Sequence, residues 1–233
     1  MHLKRFKKGF LPSKDPASYF SHFTELNSVN AWGQQLPQLL LEDDFREKAQ
    51  RWLIPFWPED KIVPQHYSEL RLYYMRLAFI ASGYINQVGQ SSCNRLPANI
   101  AQPLIQVSKL LSRPPILSYD GYALYNWYRL DPSKPIELGN IDTLQNFVEL
   151  YDEHWFILVH VAIEALSSEM IYKMVQLNPE DIEQVNATLA CIDETLKKGL
   201  RGLPSNRLLL NAICNNWQLE VKTIYKAESA WLR

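Results

Sequence analysis

The stretch ELRLYYMRLAFIASGYI, Glu69 to Ile85, decides the fold class. Leu70, Tyr73, Tyr74, Leu77, Ala78, Ile80 and Ala81 recur at three- and four-residue intervals and gather on one wide face, the period of a helix against a core. Arg71 and Arg76 are expected off the centre of that face. The same period recurs outward from it. Ala98 to Leu111 reads as a second helix, with Ile100, Leu104, Val107, Leu110 and Leu111 inward and Pro103 in its first turn or at a kink. It should stop at Arg113, because Pro114 and Pro115 push the preceding backbone out of the helical region. Ser118 and Asp120 are the available caps for a further helix carrying Tyr122 to Leu130, and Asp131-Pro132 would end it. Asp43 to Lys61, rich in proline and carrying Trp52 and Trp57, reads as an irregular connection packed by aromatics.

Past Asp131 the chain changes character. DPSKPIELGNIDTL, Asp131 to Leu144, is polar and turn-rich. Trp155 to Leu177 is apolar nearly all round at first, as in a helix surrounded by others. Asn178-Pro179-Glu180-Asp181 then supplies a cap, a first-turn proline and two acids for a last helix to about Lys198, with Ile182, Val185, Leu189, Ile192 and Leu196 inward. Strict alternation is rare and the chain has only eight glycines. The expected fold is all-α: a small N-terminal helical domain over residues 1–130, a connection over 131–145, and the beginning of a larger helical-bundle domain over 146–233.

The 233 residues carry 24 basic and 25 acidic side chains, a formal charge of −1, scattered rather than clustered. No field exists to gather nucleic acid or anionic lipid, so neither is expected as a partner. MHLKRFKKGF at the N-terminus reads as a solvated arm, since no long apolar run follows it. Trp155 to Leu166 is too short for a bilayer and is interrupted by His160 and Glu164. Cys93, Cys191 and Cys214 are far apart and show no metal-type spacing, which fits free thiols and a cytoplasmic location.

Phosphate loops, nucleophile elbows, HExxH and paired-cysteine metal sites are all missing. His160 stands out instead, in WFILVHVAIEAL, where Glu164 one turn on is its one polar near neighbour. The residues leave two readings open: a core imidazole satisfied by a backbone carbonyl, or a polar group projecting into an apolar pocket and able to orient or deprotonate a ligand N–H. Glu164 reads as a carboxylate bonded within the helix packing. Tyr119, Tyr122, Tyr125 and Tyr128 recur every three residues and cannot all face one cavity on a helix. Tyr119 and Tyr122 are best placed to share a wall with Ala123.

RLPANIAQPLIQVSKLLSRPPILSYDGYALYNWYRLDPSKP, Arg95 to Pro135, together with NIDTLQNF and WFILVHVAIEA, resembles the indoleamine 2,3-dioxygenase family. The likeness begins around VNAWGQQLPQLL and fades after about Leu177. It implies an all-helical protein with a small domain capping a larger one, haem b between them, and a small-molecule indole and dioxygen as reactants. The implied reaction is oxidative cleavage of the indole C2–C3 bond of L-tryptophan or a related indole to an N-formylkynurenine-type product. By resemblance, Tyr119, Tyr122 and Ala123 line the indole pocket, Phe156 packs against the indole, and His160 is the catalytic-side group near the indole N–H. Tyr125, Trp127 and Tyr128 are then packing residues. The family's proximal haem-ligating histidine lies in the C-terminal part of the large domain, and none of His2, His22, His66, His154 and His160 matches it, so no metal ligand is assigned. The alternative is a non-catalytic helical scaffold or truncated remnant lacking haem, self-associating through an exposed apolar face.

Overall fold

A computed structural model describes residues 10–58, 62–176 and 182–202 of the chain. The Glu69 stretch lies within the helix around which the others pack. To number the helices along the chain, α1 is Asn27–Leu39, α2 is Phe45–Arg51, α3 is Tyr67–Ile85, α4 is Ala98–Leu111, α5 is Tyr151–Gln176 and α6 is Ile182–Gly202. The all-α expectation holds, with one two-stranded exception described below.

From Glu69 to Tyr84, every residue of α3 except Ser82 is buried, because α1, α4 and the turn after the double proline pack around it. Arg71 and Arg76, expected off the centre of the apolar face, are both enclosed as well. A helix surrounded on all sides has no solvent edge to give its cations, so each is held by partners inside the protein. Arg76 donates from Nε to Asn30 Oδ1 (3.0 Å) and from Nη1 to Leu144 O (2.8 Å) and Gln145 Oε1 (2.7 Å). These bonds tie α1, α3 and the segment before α5 together at one point. Gly33 on α1 makes room for them, since a Cβ there would lie 2.4 Å from Arg76 Cδ and 2.8 Å from Gln145 Oε1. Gly33→Ala is expected to destabilise the protein by about 1–3 kcal/mol through overpacking, read as a lower denaturation midpoint with an unchanged slope.

The Asp43 to Lys61 stretch is less irregular than its prolines suggested. Residues Phe45–Arg51 form α2, favoured by good helix formers and by Lys48–Asp44 and Arg51–Glu47 pairs one turn apart. Beyond α2 the aromatics do pack it: Trp52 stacks on Trp32 with centroids 4.2 Å apart, and Trp57 meets Phe23 edge-on at 4.6 Å.

In α4, Ile100, Leu104 and Val107 are fully enclosed and Leu110 and Leu111 half-buried; Pro103 lies beyond the first turn and is buried. The helix ends at Ser112 in the left-handed region (φ 52°), whose neighbour Arg113 donates back to Ser108 O. That is the closing pattern expected just before two prolines.

The helix expected over Tyr122 to Leu130 is replaced by a single π-helical turn, Asp120–Leu124, followed by strand β1, Tyr128–Arg129. Strand β2, Ile141–Asp142, pairs with it antiparallel, Tyr128 opposite Asp142 and Arg129 opposite Ile141. Asn126 is the physical reason. Its buried amide donates to Tyr122 O (3.0 Å), the carbonyl a continuing helix would use for its next turn, and is fixed to Gln145 by donating to its O (2.7 Å) and accepting from its N (2.8 Å). Asn140 closes the loop between the strands by bonding Asp131 N and O and Pro135 O.

Helix α5 packs on the π-helical turn through a face where Ile157 and Val161 are fully buried, and α6 packs on α5. On α6 the expected inward set is divided: Val185 and Ile192 are half-buried, whereas Ile182, Leu189 and Leu196 are exposed. The basic arm, the cap from Asn178 to Asp181 and Cys214 lie outside the described residues. Cys93 and Cys191 are free thiols, and no helix among the described residues is long and apolar enough to cross a membrane.

Candidate functional site

Two segments far apart in sequence meet at the candidate site. The first is the chain after the double proline, which is fastened to α3 before it turns. Tyr74 on α3 donates its hydroxyl to Pro114 O (3.0 Å) and Ile116 O (2.6 Å). Asp120 pairs with buried Arg71 and with Arg113 (2.7 Å), and accepts from Ser118 Oγ. Burial raises the Asp120 carboxyl's pKa, but the Arg71 charge, the Ser118 and Arg71 bonds and the Arg113 charge outweigh it and hold the group below the usual aspartate value. Arg71 is flanked by aromatic faces, its guanidinium 3.8 Å from the Tyr125 centroid and 5.7 Å from that of Tyr74.

With Asp120 fixed, Tyr119 meets the second segment, the apolar middle of α5. Its ring stands edge-on to His160 at 5.9 Å, and Phe156 lies 4.3 Å from His160 on the same helix face. Tyr119, Phe156 and His160 are each half-buried, so together they form a partly open wall of rings. His160 Nδ1 lies 2.7 Å from Phe156 O, and a carbonyl can only accept, so the proton sits on Nδ1. In the neutral ring Nε2 is therefore left as the acceptor. The two readings of this histidine turn out to be compatible: one nitrogen is satisfied by backbone and the other is not committed by that bond.

Tyr119 donates its hydroxyl to Glu164 Oε1 (3.4 Å). Burial raises the Glu164 pKa, and the Tyr119 bond opposes the shift only in part. Burial likewise raises the Tyr119 phenol. Tyr122 and Ala123 lie behind this wall rather than on its open side, both fully enclosed. The Tyr122 ring stacks on Phe79 (5.7 Å) and Phe147 (6.3 Å) and lies 6.3 Å from Phe156. Tyr125 lies under Arg71, Trp127 is completely buried with Nε1 donating to Leu124 O, and Tyr128 reaches Asp142. A separate groove lined by Gln102, Ile105, Gln106, Lys109 and Leu110 runs along α4 and contains none of the candidate site residues.

Glu153 was not anticipated. It sits in the first turn of α5, is only 1% exposed, and accepts from the Tyr122 hydroxyl (3.1 Å), Phe147 N (3.0 Å) and Val148 N (2.9 Å). Burial pushes its carboxyl up to about 7, against the lowering effect of those three donors. The available signal was an acid three residues into a helix just before an apolar run, a position where carboxylates commonly reach back to bare N–H groups.

Of the other histidines, His2 lies outside the described residues and three are placed away from the wall. His22 and His66 pack together at 4.8 Å beside Glu69, and His154 lies near Thr143 and Asp142. Among the described residues no group of three or more His, Cys, Asp or Glu could hold a metal. The described residues thus bring together flat apolar rings and one imidazole acceptor, a surface that a flat ring with one N–H would fit.

A family model described as indoleamine 2,3-dioxygenase matches residues 5–218. That range corrects the sequence reading, which ended the likeness near Leu177: the match continues past Lys198. Human indoleamine 2,3-dioxygenase 2 is 34% identical over 138 residues, 59% of this chain and 32% of its own length. The Saccharomyces cerevisiae indoleamine 2,3-dioxygenase is 32% identical over 147 residues, 61% of this chain and 32% of its own. A 6-hydroxytryptophan 2,3-dioxygenase of Fusarium equiseti is 29% identical over 168 residues, 70% and 39%. The chain thus spans well under half the length of these relatives.

Proposed function

The chain belongs to the indoleamine 2,3-dioxygenase family, and from that premise we propose that the wall of Tyr119, Phe156 and His160 binds the indole ring of L-tryptophan or a related indole for oxidative cleavage of its C2–C3 bond. The observation that carries this reading is the meeting of Tyr119, from the turn after the double proline, with Phe156 and His160 on α5, at 5.9 and 4.3 Å. An indole is flat and apolar except for one N–H. Phe156 offers a ring to pack against, and His160 Nε2 offers an acceptor for that N–H because Nδ1 is occupied by Phe156 O. Tyr122 and Ala123 act from behind, setting where Phe156 can lie.

Haem b, when bound, supplies the iron and dioxygen chemistry of the family. The part this chain's described residues play is to orient the indole and exclude water from one of its faces. In the same reading residues 1–130 form the small domain, 131–145 the connection, and 146–233 the start of the larger domain. The substrate range is open to ring-substituted tryptophans, as the name of the Fusarium relative illustrates.

Equilibrium dialysis of the full chain against indole and L-tryptophan tests the proposal. Phe156→Ala is expected to weaken indole binding by roughly tenfold, the scale of a lost aromatic contact. His160→Ala should weaken it by roughly three- to tenfold, and should affect 1-methylindole far less, since that ligand has no N–H to donate. Equal affinities across wild type and both variants would overturn the assignment.

A further inference from the structure

We propose that Glu153 is a positioning residue for the aromatic wall, its ionised carboxylate holding Tyr122 behind Phe156 while clamping the Phe147 and Val148 backbone to the same two oxygens. The proposal rests on the reading of that wall as an indole-binding surface. Oε1 accepts from the Tyr122 hydroxyl at 3.1 Å and from Phe147 N at 3.0 Å; Oε2 accepts from Phe147 N at 3.0 Å and Val148 N at 2.9 Å. All of these partners donate, so the arrangement suits a carboxylate with both oxygens free to accept. A proton on either oxygen turns an acceptor into a donor. One of the contacts must then be released or reversed.

The consequence travels through rings in contact. Tyr122 is confined between Phe79 and Phe147, and Phe147 is itself fastened to Glu153 through its backbone N–H. Tyr122 adjoins Phe156, and Phe156 adjoins His160 and accepts from it. Loosening the Tyr122 hydroxyl therefore alters the backing of the two α5 residues that face the indole. Few other charges reach Glu153. From α3 the nearest element carries Arg76, whose bonds end on Leu144 O and Gln145 Oε1. From the π-helical turn it meets Tyr122, and Asp120 there is engaged with Arg71 and Arg113. On α5, neighbouring His154 lies toward Thr143 and Asp142, and Glu164 is bonded to Tyr119. Among the described residues no cation pairs with Glu153, which is consistent with burial moving its titration to about 7.

The test uses the full chain labelled with [13Cζ]tyrosine, the Tyr122 resonance being assigned by its loss in Tyr122→Phe. In the wild type this resonance is expected to move with pH, its midpoint near 7. In Glu153→Gln, whose amide nitrogen opposes the N–H donors, it should be flat from about pH 5.5 to about 8.5. His160→Gln should leave the midpoint in place. Indole affinity, measured with His160→Gln in place so that no imidazole contributes, should change by roughly three- to tenfold across that pH range and stay level when Glu153→Gln is added.

A Tyr122 resonance that does not titrate in the wild type overturns the proposal, and that measurement needs no folded Glu153 variant. So does a Tyr122 titration that survives in Glu153→Gln, or an indole affinity that keeps its full pH dependence when Glu153→Gln is combined with His160→Gln. If indole fails to bind at every pH, the reading of the wall is what fails, and the Tyr122 titration still decides the role of Glu153.

Discussion

Arg76→Ala is expected to remove about 3–5 kcal/mol of stability through the void it opens and the acceptors it strands. Arg76 is completely enclosed, and burial pulls its guanidinium down to about 9, so it remains a cation at neutral pH. Its partners are neutral oxygens: Asn30 Oδ1, Leu144 O and Gln145 Oε1. Truncation leaves three buried acceptors without donors and a void where α1, α3 and the segment before α5 converge. Arg76→Met separates the two contributions, since it restores most of the volume but none of the donors. It should recover part of the loss. Chemical denaturation of the three proteins measures this; a methionine variant as stable as wild type would show that the hydrogen bonds contribute nothing net.

The second large effect is expected at Asp120. Arg71 is buried, and among the described residues its Nε and Nη1 have no hydrogen-bond partner, so the Asp120 carboxylate is its principal compensation there apart from the Tyr125 ring. Asp120→Ala strands that cation and should cost about 3–5 kcal/mol, the scale for breaking a buried pair from one side. The acid dependence has a definite sign. A carboxyl held below its ordinary value contributes stability that is present above the ordinary aspartate pKa of 3.8 and is lost as pH falls through the lower folded value. Denaturation midpoints of the wild type should therefore decline on that acid limb, and Asp120→Ala should flatten it. Because Asp120 also anchors the turn that presents Tyr119, the variant should bind indole more weakly even under conditions where it remains folded. Unchanged binding would mean that Tyr119 is held by its contact with α5 alone.

Glu153 carries the opposite linkage. Its folded carboxyl lies above the ordinary 4.5, so its contribution to stability is full below that value and is lost as pH rises through about 7. The two buried acids thus act on different limbs of the same pH profile.

Periodicity made the helices legible because it reports which faces are apolar. It located α3 and α4 closely and indicated that α5 is enclosed in its middle. What it could not report is how polar side chains behave once the apolar faces have met. Arg71 and Arg76 look like solvent-facing cations in a one-dimensional pattern, and only the packing of α1, the double-proline turn and the segment before α5 around α3 supplies them with partners. Asn126 ends the expected helix by taking backbone groups of Gln145, nineteen residues on, and no local propensity encodes that contact. On α6 the apolar spacing was read as an inward face, but one neighbour, α5, covers only part of it.

The candidate wall was legible in a different way. Tyr119, Phe156 and His160 were singled out by resemblance as much as by chemistry, and the structure adds their distances and the tautomer of the imidazole. Tyr122, expected beside them, adjoins Phe156 and is enclosed, its hydroxyl donating to Glu153. A carboxylate that reaches back out of its own helix to a preceding loop leaves little trace in sequence beyond its position in the first turn.

The claim on which the functional account depends is that one face, made by Tyr119, Phe156 and His160, receives the indole. Intermolecular nuclear Overhauser measurements between indole and the full chain, with selectively labelled Tyr, Phe and His rings, test it most directly. The account predicts cross-peaks from the indole ring protons to Phe156 and Tyr119, with the indole N–H nearest His160. Indole contacts confined to the α4 groove around Gln102 and Lys109, with none to these three rings, would contradict it.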